Sequence, residues 1–262
     1  LAIIAIAYLL FLVAPMLLLA VGSFGGNWSN TLLPTGFTWR WYQELVADPS
    51  FRRAFVTSLQ VVATTCVLNI LVGLPLAYAI QAGARGGVRL AARILTLLPV
   101  AAPELVLAFG FILVFSSDAM PWLGSFWLLA AGHLVLTLPY TVTALVADME
   151  QLGLEQYEHA AATLGASFAA RLRDVTLPLL RSSLLSAMLT VAALSIGEFQ
   201  LSNLISGFLS RTYPVVLLQA FYGATGFACA ATVVLLLLAT LASLTSGLTA
   251  QFAGNLRSRR AA

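Results

Sequence analysis

The chain has 262 residues, 60% hydrophobic and 9% charged, with a mean hydropathy of +0.95. A soluble domain carries about 25% charged residues, so a soluble enzyme, a disordered chain and a nucleic-acid-binding chain are excluded, the last because the net charge of +3 is small and dispersed. What remains is an all-α membrane protein, since a transmembrane barrel would show short alternating segments in place of long apolar runs.

Six stretches meet the need for about 20 mostly apolar residues per span: 1–23, 55–81, 94–117, 126–147, 182–208 and 225–250. Residues 1–262 therefore read as a single transmembrane domain. The first run opens at Leu1 without a methionine, and a short polar stretch is expected upstream. That run is too long for a signal-peptide core, so it reads as a retained span. The connection 24–54 reads as a small surface element. Its Trp39-Arg40-Trp41-Tyr42 supplies interfacial aromatics, and Thr38 to Ala47 suits a short helix lying on the membrane. The third span contains Pro99 and Pro103, four apart, which predicts a kinked or broken helix. The fifth is the least regular, with Gly197, Glu198, Gln200 and Asn203, and is expected inside the bundle. Cys66 and Cys229 lie in apolar runs and read as buried small hydrophobes.

Arginine placement gives the direction. All thirteen basic residues are arginine, and nine of them fall on one set of connections: Arg85, Arg89, Arg93, Arg171, Arg173, Arg181, Arg257, Arg259 and Arg260. The opposite set holds Arg40, Arg52, Arg53 and Arg211. The richer side is expected to be cytoplasmic, with both termini on it.

The connection from Asp148 to Arg181 is long enough to have a task of its own. Propensity predicts a helix from about Glu155 to Leu164, a break at Gly165, and a second piece from Ser167 to about Val175. Pro178 sits where the fifth span starts and its missing N–H costs little. The first helix carries small alanines at 160–162, which allow close approach by another surface.

These residues carry a resemblance. His159-Ala160-Ala161, then Gly165, then Val175, Leu177 and Pro178 reproduce the spacing of a loop signature: Glu-Ala-Ala, three residues, Gly, nine residues, an aliphatic residue, one residue, Leu-Pro. The chain resembles inner-membrane permease subunits of ATP-binding-cassette importers, most of all the branch serving polyamines, aminoethylphosphonate, thiamine and iron. The resemblance implies a type I importer permease fold of six transmembrane helices in a bacterial inner membrane. It implies a coupling helix, with Glu158, His159, Ala160, Ala161, Gly165, Leu177 and Pro178 as the ATPase-coupling residues. It also implies partners: two ATP-binding-cassette ATPase subunits, a second permease subunit (a different chain being favoured over an identical one) and an extracytoplasmic solute-binding protein. One departure stands out. The signature's glutamate is His159 here, and Glu158 lies one place earlier, about 100° around a helix.

No phosphate-binding G-x-x-x-x-G-K-[ST] segment is present, so ATP and magnesium are expected on the partner ATPase and no cofactor in this chain. No catalytic or metal-ligating constellation is recognisable either.

Carboxylates at bilayer depth need a reason. Glu104 follows Pro103, and Glu198 follows Gly197. Each is read as meeting a cationic group of the solute or as binding a freed N–H or a partner's arginine. Glu104, Glu198, Gln200, Asn203 and Tyr140 form the expected substrate pathway. His133 reads as a satisfied interior histidine. Asp118 and Arg211 fall on outside loops, where a binding protein would dock. The leading expectation is half of a pathway for a small hydrophilic solute, polyamine-like or an aminoalkylphosphonate. The competing one is a proton-coupled secondary transporter using Glu104, Glu198 and His133.

Overall fold

The computed structural model describes residues 2–28, 31–83 and 86–261, the side chains of 2, 82, 83, 242 and 245–261 excepted. Leu1, Arg85 and the side chains of Arg257, Arg259 and Arg260, on which part of the direction argument rests, lie outside the described residues.

The first helix, α1, spans Ala2–Ser23. A hairpin of β1 (Gly25–Asn27) and β2 (Thr35–Phe37) leads to α2 (Arg40–Ala47). Helix α3 (Pro49–Leu68) continues through a π turn at Asn69–Gly73 into α4 (Leu74–Tyr78) and a second π turn at Ala79–Gly83. Asp48 caps α3, its Oδ1 accepting from the N–H groups of Ser50 and Phe51 at 2.7 and 3.1 Å. Next come α5 (Gly87–Ala101), α6 (Glu104–Phe115), α7 (Phe126–Leu152) and α8 (Leu154–Thr163). Helix α9 (Phe168–Arg171) runs through a π turn at Leu172–Thr176 into α10 (Leu177–Gly197). The chain ends with α11 (Gln200–Ile205), α12 (Tyr213–Ala220) and α13 (Thr225–Ala261).

Among the described residues, four helical stretches are long and apolar enough to cross a membrane: Ile3–Ser23, Pro49–Gln81, Phe126–Leu152 and Phe168–Gly197. Helices α5 and α6 make a fifth if taken as one bent span, and Thr225–Leu241 is a shorter apolar helix. The kink expected from Pro99 and Pro103 is a 97° bend between α5 and α6. It falls at Ala102-Pro103, and Pro99 stays inside α5.

Several boundaries differ from the sequence reading: the second and third spans begin earlier, at Pro49 and Gly87 where 55 and 94 were expected. The fourth span runs on to Leu152, where the expectation ended it at 147. The helical piece expected to stop near Val175 does not stop; it feeds directly into α10. The stretch expected as one span at 182–208 is broken at Glu198-Phe199. The continuity has a local cause. A proline ring collides with the carbonyl four residues back. Pro75 and Pro178 are each preceded by a π turn that contains that residue, so the wider turn takes up the collision and the helix survives.

Helix α10 is the hub, packed against α3, α7 and α13, while α1 lies along α13. One apolar cluster joins α2, α3, α12 and α13 around Leu45, Phe51, Tyr213 and Ala231. A second joins α4, α7, α8 and α10 around Ile80, Leu145, Met149, Leu154 and Leu180. A third holds α6 and α11 against α3 and α7 through Val61, Ala108, Leu129, Leu201 and Ile205.

The 24–54 element is anchored into the bundle and does not merely lie on a surface. Trp41 is buried, and its Nε1 donates to the Gly25 carbonyl at 2.7 Å. Gly226 at the start of α13 admits the indole: a Cβ there would lie 2.2 Å from Trp41 Nε1. Gly226→Ala is therefore expected to cost about 1–3 kcal/mol by forcing an overpacked contact. Thermal unfolding in detergent checks this, and an unchanged melting temperature would show that α13 simply rides outward.

Candidate functional site

Two regions collect the residues singled out by sequence. The first is the short helix α8. Two left-handed glycines bracket it: Gly153 at φ +61 and Gly165 at φ +82. At its end, Gly165 N–H donates to the Ala162 carbonyl and Ala166 N–H to the Ala161 carbonyl, both at 3.0 Å. This is the paired closure that requires a left-handed residue, so the break at Gly165 is built as expected.

One face of α8 is turned inward. Leu154 enters the α4–α7–α10 core. Glu158 is 8% exposed and accepts hydrogen bonds from Tyr78 Oη at 2.6 Å and Thr176 Oγ1 at 2.5 Å. The other face is open. Tyr157, His159, Ala160 and Leu164 are exposed, Leu164 at 88%. His159 Nε2 lies 3.5 Å from Glu155 Oε1, one turn away, and both line the edge of a cavity shared with Glu158, apart from the Tyr157, Ala160 and Leu164 face. Ala161 is half-buried. Leu177 and Pro178 open α10 and are not part of this face. Among the seven residues grouped by the signature, the structure thus separates an inward Glu158 from an exposed His159 and Ala160.

The second region is a cavity of about 360 Å³ between the α5–α6 bend, α7 and the α10–α11 break. Glu104, Tyr140, Glu198 and Gln200 line it, as does His133. Asn203 does not line it and is exposed elsewhere on α11. The two acids differ in their surroundings. Glu198 caps the broken helix: Oε1 accepts from Leu201 N–H at 2.7 Å, and Oε2 from Ser202 N–H at 3.0 Å and from the Ser202 hydroxyl. Glu104 is exposed in the first turn of α6, and among the described residues no hydrogen bond reaches it. The alternative roles weighed for both acids are therefore divided between them. Glu198 serves the freed backbone, and Glu104 faces the cavity.

His133 is 1% exposed, with Nδ1 2.7 Å from Ser195 Oγ and Nε2 2.9 Å from Ser202 Oγ. It is the satisfied interior histidine that the sequence suggested. Glu198 Oε2 is 3.5 Å from its Nε2, but the described hydrogen bonds stop there and do not continue to Glu104. A relay through the three is not assembled. Among the described residues no group of three or more His, Cys, Asp or Glu gathers to hold a metal ion.

Sequence reasoning missed two polar ties. Asn69 is fully buried and its Nδ2 donates to Thr137 Oγ1 at 2.8 Å, while Thr141 Oγ1 donates to its Oδ1 at 2.8 Å. A lone asparagine in the apolar run Cys66–Leu71 was the available signal. Tyr78 to Glu158 is the other, and no spacing rule links positions eighty apart.

The described residues thus form a helical bundle with an exposed helix between two left-handed glycines and a polar cavity at its broken helices. Residues 69–252 match the family described as binding-protein-dependent transport system inner membrane component, and the chain belongs to that family. It is a permease of the ATP-binding-cassette class. A 2-aminoethylphosphonate transport system permease of Salmonella typhimurium is 28% identical over 195 residues, covering 74% of this chain and 72% of that protein. The molybdenum transport system permease of Mycobacterium tuberculosis is 31% identical, covering 68% and 71%. The spermidine/putrescine transport system permease of Haemophilus influenzae is 26% identical, covering 78% of each. Among solved structures, a bacterial alginate transporter in complex with its pentasaccharide-bound periplasmic protein shares the fold, with a TM-score of 0.73 at 16% identity over 92% of this chain and 89% of that one.

Proposed function

We propose that this chain forms half of the pathway of an ATP-driven importer and takes up a small solute bearing an amine. The observation that carries the first part is α8, held between Gly153 and Gly165 with an open Tyr157–Ala160–Leu164 face. Such a face suits the groove of a cytoplasmic ATPase subunit, two of which would act on two permeases. The second permease is read as a different chain, as the polyamine-type resemblance implies. Counting α5–α6 as one span and α13 as another gives six, with both termini on the arginine-rich cytoplasmic side and the α2 end toward an extracytoplasmic binding protein. The domain is the whole of 1–262.

Cavity charge supports the solute class. Its lining includes two carboxylates and no arginine, and both His133 nitrogens are already engaged. An oxyanion would find few donors and a like charge there. An ammonium group would find Glu104, with Tyr140 and Phe199 as aromatic neighbours. Spermidine, putrescine and aminoethylphosphonate all carry such a group; molybdate does not.

The test is ATP hydrolysis and uptake by the purified complex in lipid, given the cognate binding protein and each of those four solutes. Stimulation by an amine is expected, with uptake cut at least about tenfold by Glu104→Gln, the loss of about 1.4 kcal/mol of solute stabilisation. Stimulation by molybdate with Glu104→Gln fully active would overturn the solute class. Uptake that collapses with the proton gradient and needs no ATPase would overturn the importer reading.

A further inference from the structure

We propose that Glu158 is a positioning residue that transmits the movement of α8 to two membrane helices at once; this rests on the ATPase-coupling reading above. The sequence marks Glu158 as the acid displaced by one place from the signature's glutamate. The displacement sends it to the opposite job. A shift of one residue rotates a side chain by about 100°, and Glu158 leaves the open face for the inside of the bundle, where it is 8% exposed.

Its carboxylate joins three separate pieces of chain. Oε2 accepts from Tyr78 Oη at 2.6 Å, at the end of α4. Oε1 accepts from Thr176 Oγ1 at 2.5 Å, in the π turn that opens into α10. The two contacts use different oxygens, so both are made together. Thr176 is itself fully buried. Tyr78 is held on its other side by the Phe168 ring, edge-on with centroids 5.7 Å apart. Arg171 lines the same cavity of about 240 Å³ beneath α8, along with Gln81 and His159.

This arrangement is stiff in the direction that matters. Hydrogen bonds to an ionised acceptor are short and among the stronger ones in proteins. Removing one partner of a buried pair leaves the other unsatisfied. Helix α8 also meets the core through Leu154, but an apolar contact resists separation without fixing rotation. The Glu158 carboxylate fixes both. When an ATPase pushes on the open face of α8, the Pro49–Gln81 stretch at Tyr78 and the Phe168–Gly197 stretch at Thr176 must follow in step. A loop lacking this tie would still dock and would slip beneath the spans.

The experiment uses the complete complex in proteoliposomes and reads three quantities: complex assembled, ATP hydrolysed and solute taken up. The variants are Glu158→Gln, Tyr78→Phe, Thr176→Val and the Tyr78→Phe/Thr176→Val double. The expected result is an assembled complex in which uptake per ATP falls at least about fivefold for each single variant. The double variant is expected to match Glu158→Gln and not to multiply the two single effects, because both act through one carboxylate. Thr176→Ser, which keeps the hydroxyl, is expected to restore the ratio. Uptake and hydrolysis falling together with the amount of complex would mean a purely structural tie and overturn the proposal. Full coupling in every variant would overturn it as well, while leaving the ATPase-coupling reading intact. A parent complex whose uptake ignores ATP would remove that reading and the proposal with it.

Discussion

Replacing Gly165 with valine is expected to cut uptake at least about tenfold while the subunit remains in the membrane at parental levels. The cause is conformational, because a Cβ at Gly165 would meet nothing within 4 Å. The difficulty is φ at +82. A left-handed backbone costs an ordinary residue roughly 1–2 kcal/mol, and a β-branched one suffers most. That cost is relieved by opening the closure made by Gly165 and Ala166 onto the Ala162 and Ala161 carbonyls. The end of α8 then unwinds at the open face, leaving the bundle itself untouched. Asparagine tolerates the left-handed region, so Gly165→Asn is expected to fall between valine and the parent. Uptake assays beside a membrane-fraction blot decide it. Parental uptake in the valine variant would show that the closure at the end of α8 plays no part in coupling.

Glu198→Ala is expected to destabilise the fold by about 2–5 kcal/mol, as two N–H groups lose a charged acceptor at once. The affected donors are those of Leu201 and Ser202, at the start of a helix that restarts inside the bundle. Ser202 would also lose its link to the carboxylate, and Ser202 is one of the two hydroxyls that hold His133. The loss should appear as a lower melting temperature in detergent and poorer yield, with Glu198→Gln intermediate. Glu104→Ala, by contrast, is expected to melt with the parent and to fail in uptake. Should Glu198→Ala also melt with the parent, its carboxylate is no cap, and it returns to the solute pathway.

Residue types visible along the chain accounted for the long apolar helices α1, α3 and α7, the proline bend and the glycine closure of α8, because each depends on its neighbours in sequence. The cavity residues Glu104, Tyr140, Glu198 and Gln200 were also legible, since acids and amides in an apolar run need an explanation. Their division of labour was not. Glu104 and Glu198 look alike in sequence, and only the restart of the helix at Gln200 gives Glu198 its two N–H donors. Asn203 was grouped with them by proximity in sequence, yet the turn of α11 carries it away from the cavity. The continuity of α9 into α10 was missed for a similar reason. Pro178 marks a boundary by rule, but a π turn lets the helix pass through it. Gly153 went unnoticed because the mostly polar stretch 148–151 separates it from the apolar run, although it directly follows the last residue of α7, where a terminating glycine is common.

Helix α1 shows how little of one helix this chain covers by itself. From Ile3 to Leu18 its side chains are largely exposed, and it lies along α13 alone among the long helices to which it is chiefly joined. Lipid tails are as apolar as leucine, so no hydrophobic force favours one shape of side chain over another along that surface. Exchanges among Leu, Ile, Val and Phe there cost this fold almost nothing, provided the segment stays apolar. Gly22, at the foot of the same helix, follows the opposite rule: a Cβ would sit 2.4 Å from the Trp28 ring and 2.9 Å from Cys229 Sγ on α13. The chain therefore carries two alphabets within one helix. One is loose and spelled only in solubility, and the other is strict and spelled in size, with its letters set where an indole and a thiol close on the helix.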